Sequence, residues 1–122
     1  LDIKHIDDEK HKKLTAHSNS RILDFALWLK EKNVPVWIRH VVVPDVTDDE
    51  DSLFRLGEFI GGLSNLKALD VLPYHSMGES KYEALGIDYP LKGVPSLDKG
   101  EAVRARDIIM RGIKARLKRD RE

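Results

Sequence analysis

Residues 35–44 read PVWIRHVVVP. Trp37, Ile38, Val41, Val42 and Val43 are strand formers, and the prolines at either end delimit the run. Arg39 and His40 interrupt it where a charge buried among hydrocarbon would be costly. Side chains of a strand alternate between its two faces, so Arg39 shares a face with Trp37 and Val41, and His40 turns to the other, packing against a helix. What a strand of this kind does with an arginine decides which fold and which function the rest of the chain describes.

Working outward, the segments on both sides have the same character. LDIKHI at residues 1–6 alternates and is β-branched, and LKALDVLPYH at residues 66–75 is a third strand ended by Pro73. Between the first two strands, DDEKHKKLTA forms a short helical turn with its acids at the favoured end. A longer helix follows from an Asn19 or Ser20 cap to about Lys32, with Ile22, Phe25, Ala26 and Leu29 as its apolar stripe and Leu23 and Trp28 widening it. Thr47 with Glu50 has the form of a capping box, opening a helix whose Leu53, Leu56, Ile60 and Leu63 recur at helical spacing up to Gly61-Gly62. A loop rich in Gly, Ser and Tyr comes next, with a helical turn across KYEAL. Ser96 or Asp98 then starts a last helix to about Arg119, carrying Ala102, Ala105, Ile109, Ile113 and Leu117. The end of that helix, KARLKRDRE, is expected to fray.

Strands joined by helical crossovers of this length pair in parallel, with right-handed connections. The expected fold class is α/β, with three parallel strands forming either a small three-layer sheet or an arc of a barrel. At 122 residues the chain fits one domain. Its 41% hydrophobic and 34% charged residues make it globular rather than disordered.

Basic and acidic residues both number 21, so the balance gives no reason to expect nucleic acid or a membrane as partner. From Asp98 onward, nine basic residues face five acidic ones, most simply a solvated helix face. There is no cysteine, which excludes disulfides, thiol catalysis and any cluster held by this chain's own thiolates. No apolar run nears the length of a bilayer span and nothing resembles a signal peptide, so a cytoplasmic setting is the default. A chain that begins inside a strand without a methionine is expected to be a piece of something longer.

Ligands of parallel α/β folds gather at the carboxyl ends of the strands. Asp2 and Lys4 share one face of the first strand, Arg39 projects from the second, and His75 closes the third. Arg39 has five donors suited to a carboxylate or a hydroxyl-rich ligand. An internal salt-bridge network of Asp2, Lys4 and Arg39 is the plainer alternative, and His75 fits a satisfied loop histidine as well as a ligand contact. His5, His11 and His17 recur every six residues, matching no helix face and no usual metal spacing. The acidic run DVTDDEDS lacks the pattern of an EF-hand and reads as helix capping. No P-loop, GxGxxG or Ser-His-Asp spacing is present.

LDIKHID, VWIRHVVVP followed by Thr-Asp-Asp, RLGEFI, LDVLPYHSMGESKYEALG and YPLKGV occur in that order. Together, from Leu1 to about Ile113, they resemble the C-terminal half of the pyruvate formate-lyase activating enzyme family, among the radical S-adenosylmethionine enzymes. The most specific pieces are the Asp2-x-Lys4 pair, WIRHVVVP and LPYHSMGESKYEALG.

The resemblance implies a partial (β/α) barrel of six strands. Residues 1–122 would supply its last three strands, and the half that binds the cluster would be missing. It also implies an oxidoreductase activity for the intact protein. S-adenosylmethionine would be cleaved reductively at a 4Fe–4S cluster held by a CxxxCxxC loop, with electrons from a donor. The resulting 5′-deoxyadenosyl radical would take a hydrogen atom from a glycine of pyruvate formate-lyase.

By motif, Asp2, Lys4, Arg39, Val41, Leu72 and His75 would line the S-adenosylmethionine site, with Val41 near the adenine and Asp2 also serving a monovalent cation. Arg39 would then look into a ligand cavity rather than into oil, which answers the question posed by residues 35–44. The cluster motif is absent here, so this chain alone is expected to be inactive. Its inner wall, with Ile3, Trp37, Val41 and Val71 as contributors, is expected to lead to self-association or to be covered by the loop and the final helix. A non-catalytic α/β module binding a small molecule or a protein stays open, as does an activase of another glycyl-radical enzyme such as a diol or glycerol dehydratase.

Overall fold

The computed structural model describes residues 1–43, 47–74 and 98–121. Its elements run α1 (Asp8–Thr15), α2 (Ser20–Glu31), β1 (Val36–Val42), α3 (Glu50–Gly61), β2 (Leu66–Pro73) and α4 (Lys99–Arg121). The result is a mixed α/β fold built on a two-stranded parallel sheet. After an irregularity between Val36 and Trp37, β1 and β2 run in step, with Trp37 opposite Ala68, Arg39 opposite Asp70 and Val41 opposite Leu72.

The expected first strand is reduced to a bridge on the other edge of β1. Arg39 N–H donates to the Leu1 carbonyl at 2.8 Å, Ile3 N–H to the Arg39 carbonyl at 3.1 Å, and Asp2 stands opposite Arg39 in parallel sense. The ladder goes no further because the chain is already turning into α1. Asp7 N–H donates to Nδ1 of His5 at 3.1 Å, and the Asp7 carboxylate caps α1 by accepting from Lys10 N–H at 3.1 Å. That hydrogen bond from Lys10 leads the effects that hold the Asp7 carboxyl below its ordinary range.

Burial along β1 alternates without a break: Val36, Ile38, His40 and Val42 are buried, and Trp37 and Arg39 are exposed. The buried face meets Ile3, Ala26 of α2, Leu53, Leu56 and Ile60 of α3, and Ala105, Ile108 and Ile109 of α4 in one core. Ile3 and Val71 therefore belong to the helical side, correcting their expected place on the open wall: Val71 stands opposite His40, and Ile3 is fully buried in the core. α4 joins the core on that same side, so it does not fold over the open face.

Helices α3 and α4 touch backbone to backbone. A Cβ on Gly57 would strike the carbonyl oxygen of Ile109, and one on Gly112 would strike that of Phe54, so only glycine permits this approach. The stripe Leu53, Leu56, Ile60 and Leu63 is buried as expected.

Three other expectations are corrected. In α2 only Ala26 is fully buried, while Phe25 and Trp28 lie about half exposed with ring centroids 6.0 Å apart. α3 is capped by Asp49, which accepts from Ser52 N–H at 3.0 Å. Thr47 instead spends its hydroxyl on β1, accepting from Val43 N–H at 2.6 Å and donating to the Val41 carbonyl at 3.2 Å. The tail stays helical to Arg121, braced by Arg116 to Asp120 at 3.0 Å and by Arg119 to Glu58 of α3 at 3.1 Å. The KYEAL turn lies outside the described residues.

Candidate functional site

Among the described residues only one face of the sheet is covered, which is unusual for parallel strands. The uncovered face is set by register. Asp2 at the bridge, Trp37 and Arg39 on β1, and Asp70 on β2 come together and, with Leu1, line an open cleft of about 380 Å³. Across three backbone segments the row through Arg39 therefore reads carboxylate, guanidinium, carboxylate.

Oδ2 of Asp2 accepts from the Lys4 ammonium at 2.9 Å. Its other oxygen, Oδ1, is buried and lacks a hydrogen-bond partner among the described residues. A buried carboxylate oxygen left in this way is a standing demand for a donor or a cation. Arg39 forms no ion pair or side-chain hydrogen bond with another described residue, so its five donors face the cleft and solvent.

Further along the strands, Val41 is half-buried and Leu72 exposed, and they stand opposite each other on the same face. Sequence reading thus brought Asp2, Lys4, Arg39, Val41 and Leu72 to one face, while His75 lies outside the described residues. It missed Asp70. The signal was available, because Asp70 stands two residues from Leu72 and shares its side of the strand.

The opposite side of β1 carries a different chemistry. His40 is buried, with Nδ1 donating to the Ile3 carbonyl at 2.6 Å. Burial pushes its pKa below the ordinary 6.5, only partly opposed by that hydrogen bond. His40 therefore ties the N-terminal segment to β1 rather than lining the cleft.

Fold and face together define an α/β unit of parallel strands with a charged sheet face that no described residue covers. The resemblance noted in the sequence is borne out by relatives. Over 109 residues, 89% of the chain, it is 50% identical to the pyruvate formate-lyase-activating enzymes of Listeria monocytogenes and Listeria innocua. Over 105 residues it is 51% identical to that of Staphylococcus aureus. The chain spans 44% and 41% of the lengths of these relatives. No family model matches it. Its fold is similar to the crystal structure of a domain of pyruvate-formate lyase-activating enzyme from Bacteroides vulgatus, with a TM-score of 0.70 at 20% identity, covering 91% of this chain and 60% of that one. Among the described residues, no helix is long and apolar enough to cross a membrane.

Proposed function

We propose that this chain is the C-terminal part of a glycyl-radical enzyme activating enzyme, residues 1–122 being the last three strands of a partial (β/α) barrel. The 50% identity to pyruvate formate-lyase-activating enzymes over 109 residues carries the reading, and the charged open face supports it. The intact protein would be a cytoplasmic radical S-adenosylmethionine oxidoreductase whose partners are pyruvate formate-lyase and an electron donor. When bound, S-adenosylmethionine and a 4Fe–4S cluster would supply the radical chemistry that removes hydrogen from a glycine of the partner.

The residues present fit one of these groups and not the other. With no cysteine, the chain offers no thiolate for an iron–sulfur cluster, and we assign the chain alone no catalysis. The open face does suit S-adenosylmethionine. Arg39, which lines the cleft, would hold its carboxylate by charge-assisted hydrogen bonds. The unpartnered Oδ1 of Asp2 suits a hydroxyl or ammonium donor or a monovalent cation, with Lys4 steadying the other oxygen. Val41 and Leu72 offer an apolar strip for the adenine, and His75 follows Tyr74 in the sequence.

Calorimetric titration of S-adenosylmethionine into the chain tests this, with Arg39→Ala as control. Binding that weakens about tenfold in the variant supports the lining role, since charge-assisted hydrogen bonds contribute on the order of 1.5–3 kcal/mol. Equal heats for both proteins would overturn it. The lack of cysteine favours a second reading, a module that binds without catalysing. A CxxxCxxC encoded upstream of Leu1 in the same reading frame decides for the first.

A further inference from the structure

We infer that the outer side of α4 is a docking surface for an anionic lipid bilayer, on which the helix lies flat with its cations among the headgroups. The observations that carry this stand apart from the sheet face and its ligand. α4 is the longest helix of the described residues, 23 residues from Lys99 to Arg121, and its inner side joins the core through Ala105, Ile108, Ile109 and Ile113. Its charges are sorted by partner. Arg104 pairs with Glu101 at 3.0 Å, Arg116 with Asp120 at 3.0 Å and Arg119 with Glu58 of α3 at 3.1 Å. Arg106, Arg111, Lys114, Lys118 and Arg121 form no ion pair or side-chain hydrogen bond with another described residue. At 3.6 residues per turn these five fall within one arc of roughly 140°. Asp107 is the one acid of α4 in that arc, so five cations face a single carboxylate there.

The apolar residues of the same arc select the kind of anion. Val103, Met110 and Leu117 follow one another at seven-residue spacing, with Val103 61% and Leu117 43% exposed. A nucleic acid would answer the cations and leave that stripe in water. A partner helix needs a second apolar position in each heptad to seat its side chains, and the positions four residues on, Asp107, Lys114 and Arg121, are all charged. A bilayer interface accommodates both kinds of residue, with anionic headgroups around the long cationic side chains and the upper acyl region for Val103 and Leu117. The rest of the chain orients the contact. Nine of the 21 basic and five of the 21 acidic residues lie from Asp98 onward, which leaves 12 basic and 16 acidic residues before it. An anionic surface therefore attracts α4 and repels the remainder, although the whole chain is neutral. The contact is peripheral, since among the described residues no helix is long and apolar enough to cross a membrane.

The test is cosedimentation of the full chain with vesicles of phosphatidylcholine alone and of phosphatidylcholine with about a third phosphatidylglycerol, at about 0.1 M salt. The chain sediments with the anionic vesicles and not with the neutral ones, and binding falls as salt is raised. Lys114→Gln with Lys118→Gln weakens partitioning on the order of twentyfold, since each cation near such a surface contributes about fivefold. Lys13→Gln with Lys32→Gln removes the same charge from α1 and from the end of α2, and leaves partitioning within about twofold. Leu117→Ala, a good helix former at an exposed position, weakens it several-fold. Failure to bind the anionic vesicles, binding to both kinds alike, or equal losses from the two lysine pairs would remove α4 as the docking surface. Undiminished partitioning in Leu117→Ala, or equally tight binding to a DNA duplex, would make the face a general polyanion site and overturn the bilayer.

Discussion

Arg39 and His40 are chain neighbours with opposite fates, decided by the period of a strand. Arg39 emerges on the uncovered face, and His40 enters the core with its Nδ1 on the Ile3 carbonyl. Burial holds the His40 pKa below 6.5, so over the range between the folded and unfolded values the unfolded chain binds more protons. The stability His40 contributes is therefore complete above the unfolded value and drains away as pH falls below it. Urea unfolding should show a midpoint that drops between about pH 7.5 and about pH 5.5, with a shallower drop in His40→Gln. A variant with an unchanged slope would remove His40 as the cause. The outer residues behave differently. Asp7 and Asp8 carry depressed pKa values, led in Asp7 by the hydrogen bond from Lys10 N–H and in Asp8 by that from Asn19 N–H, but both are partly exposed. Their effect on stability is felt only as pH falls through the carboxylate range.

At the scale of elements, the contact between α3 and α4 is the least forgiving. Gly112→Ala places a methyl group against the Phe54 carbonyl and within 2.9 Å of the Gly57 Cα. Overpacking of this kind costs about 1–3 kcal/mol, more than the roughly 1 kcal/mol that alanine gains in helix propensity. Gly100→Ala, in the first turn of the same helix, meets nothing nearer than the Asp98 carboxylate at 3.6 Å and keeps the propensity gain. The same substitution should thus lower the denaturation midpoint at one position and raise it at the other. Two losses would mean that the helices are not held at backbone distance by these glycines. Such contacts explain why parts of the fold were legible in sequence and others were not. The alternation through VWIRHVV and the leucine spacing of α3 report burial directly, because one face of each element is covered. Phe25 and Trp28 have the hydrophobicity of a core but lie beyond the arc of α2 that meets the sheet. Thr47 looked like a cap because a capping box is a spacing rule, and the spacing is blind to a hydroxyl already engaged by the end of β1. Asp70 was overlooked because its meaning comes from a neighbour in register, 31 residues away in the chain.

At the scale of the molecule, the sheet face that no described residue covers sets the behaviour. Trp37 is 57% exposed and Leu72 39%, on a sheet whose outer edge pairs with the N-terminal segment at a single bridge. The chain spans less than half the length of its curated relatives. Covering Trp37 and Leu72 removes apolar area from water at about 25 cal/mol per Å², and a second copy can supply the cover. We therefore expect association through this face, and the two tryptophans separate it from other modes. Trp28 is also about half exposed, but it sits on α2, packed against the other side of the sheet. In the Trp28→Phe protein, where Trp37 alone reports, emission should shift to shorter wavelength and iodide quenching should fall as concentration rises. In Trp37→Phe, with Trp28 alone, both should stay constant while sedimentation follows the mass. A dimer that protects Trp28 instead would place the contact on the aromatic pair of α2. A monomer at every concentration, with Trp37 open to quencher throughout, would mean that the charges of Asp2, Lys4, Arg39 and Asp70 keep the face solvated until its own ligand arrives.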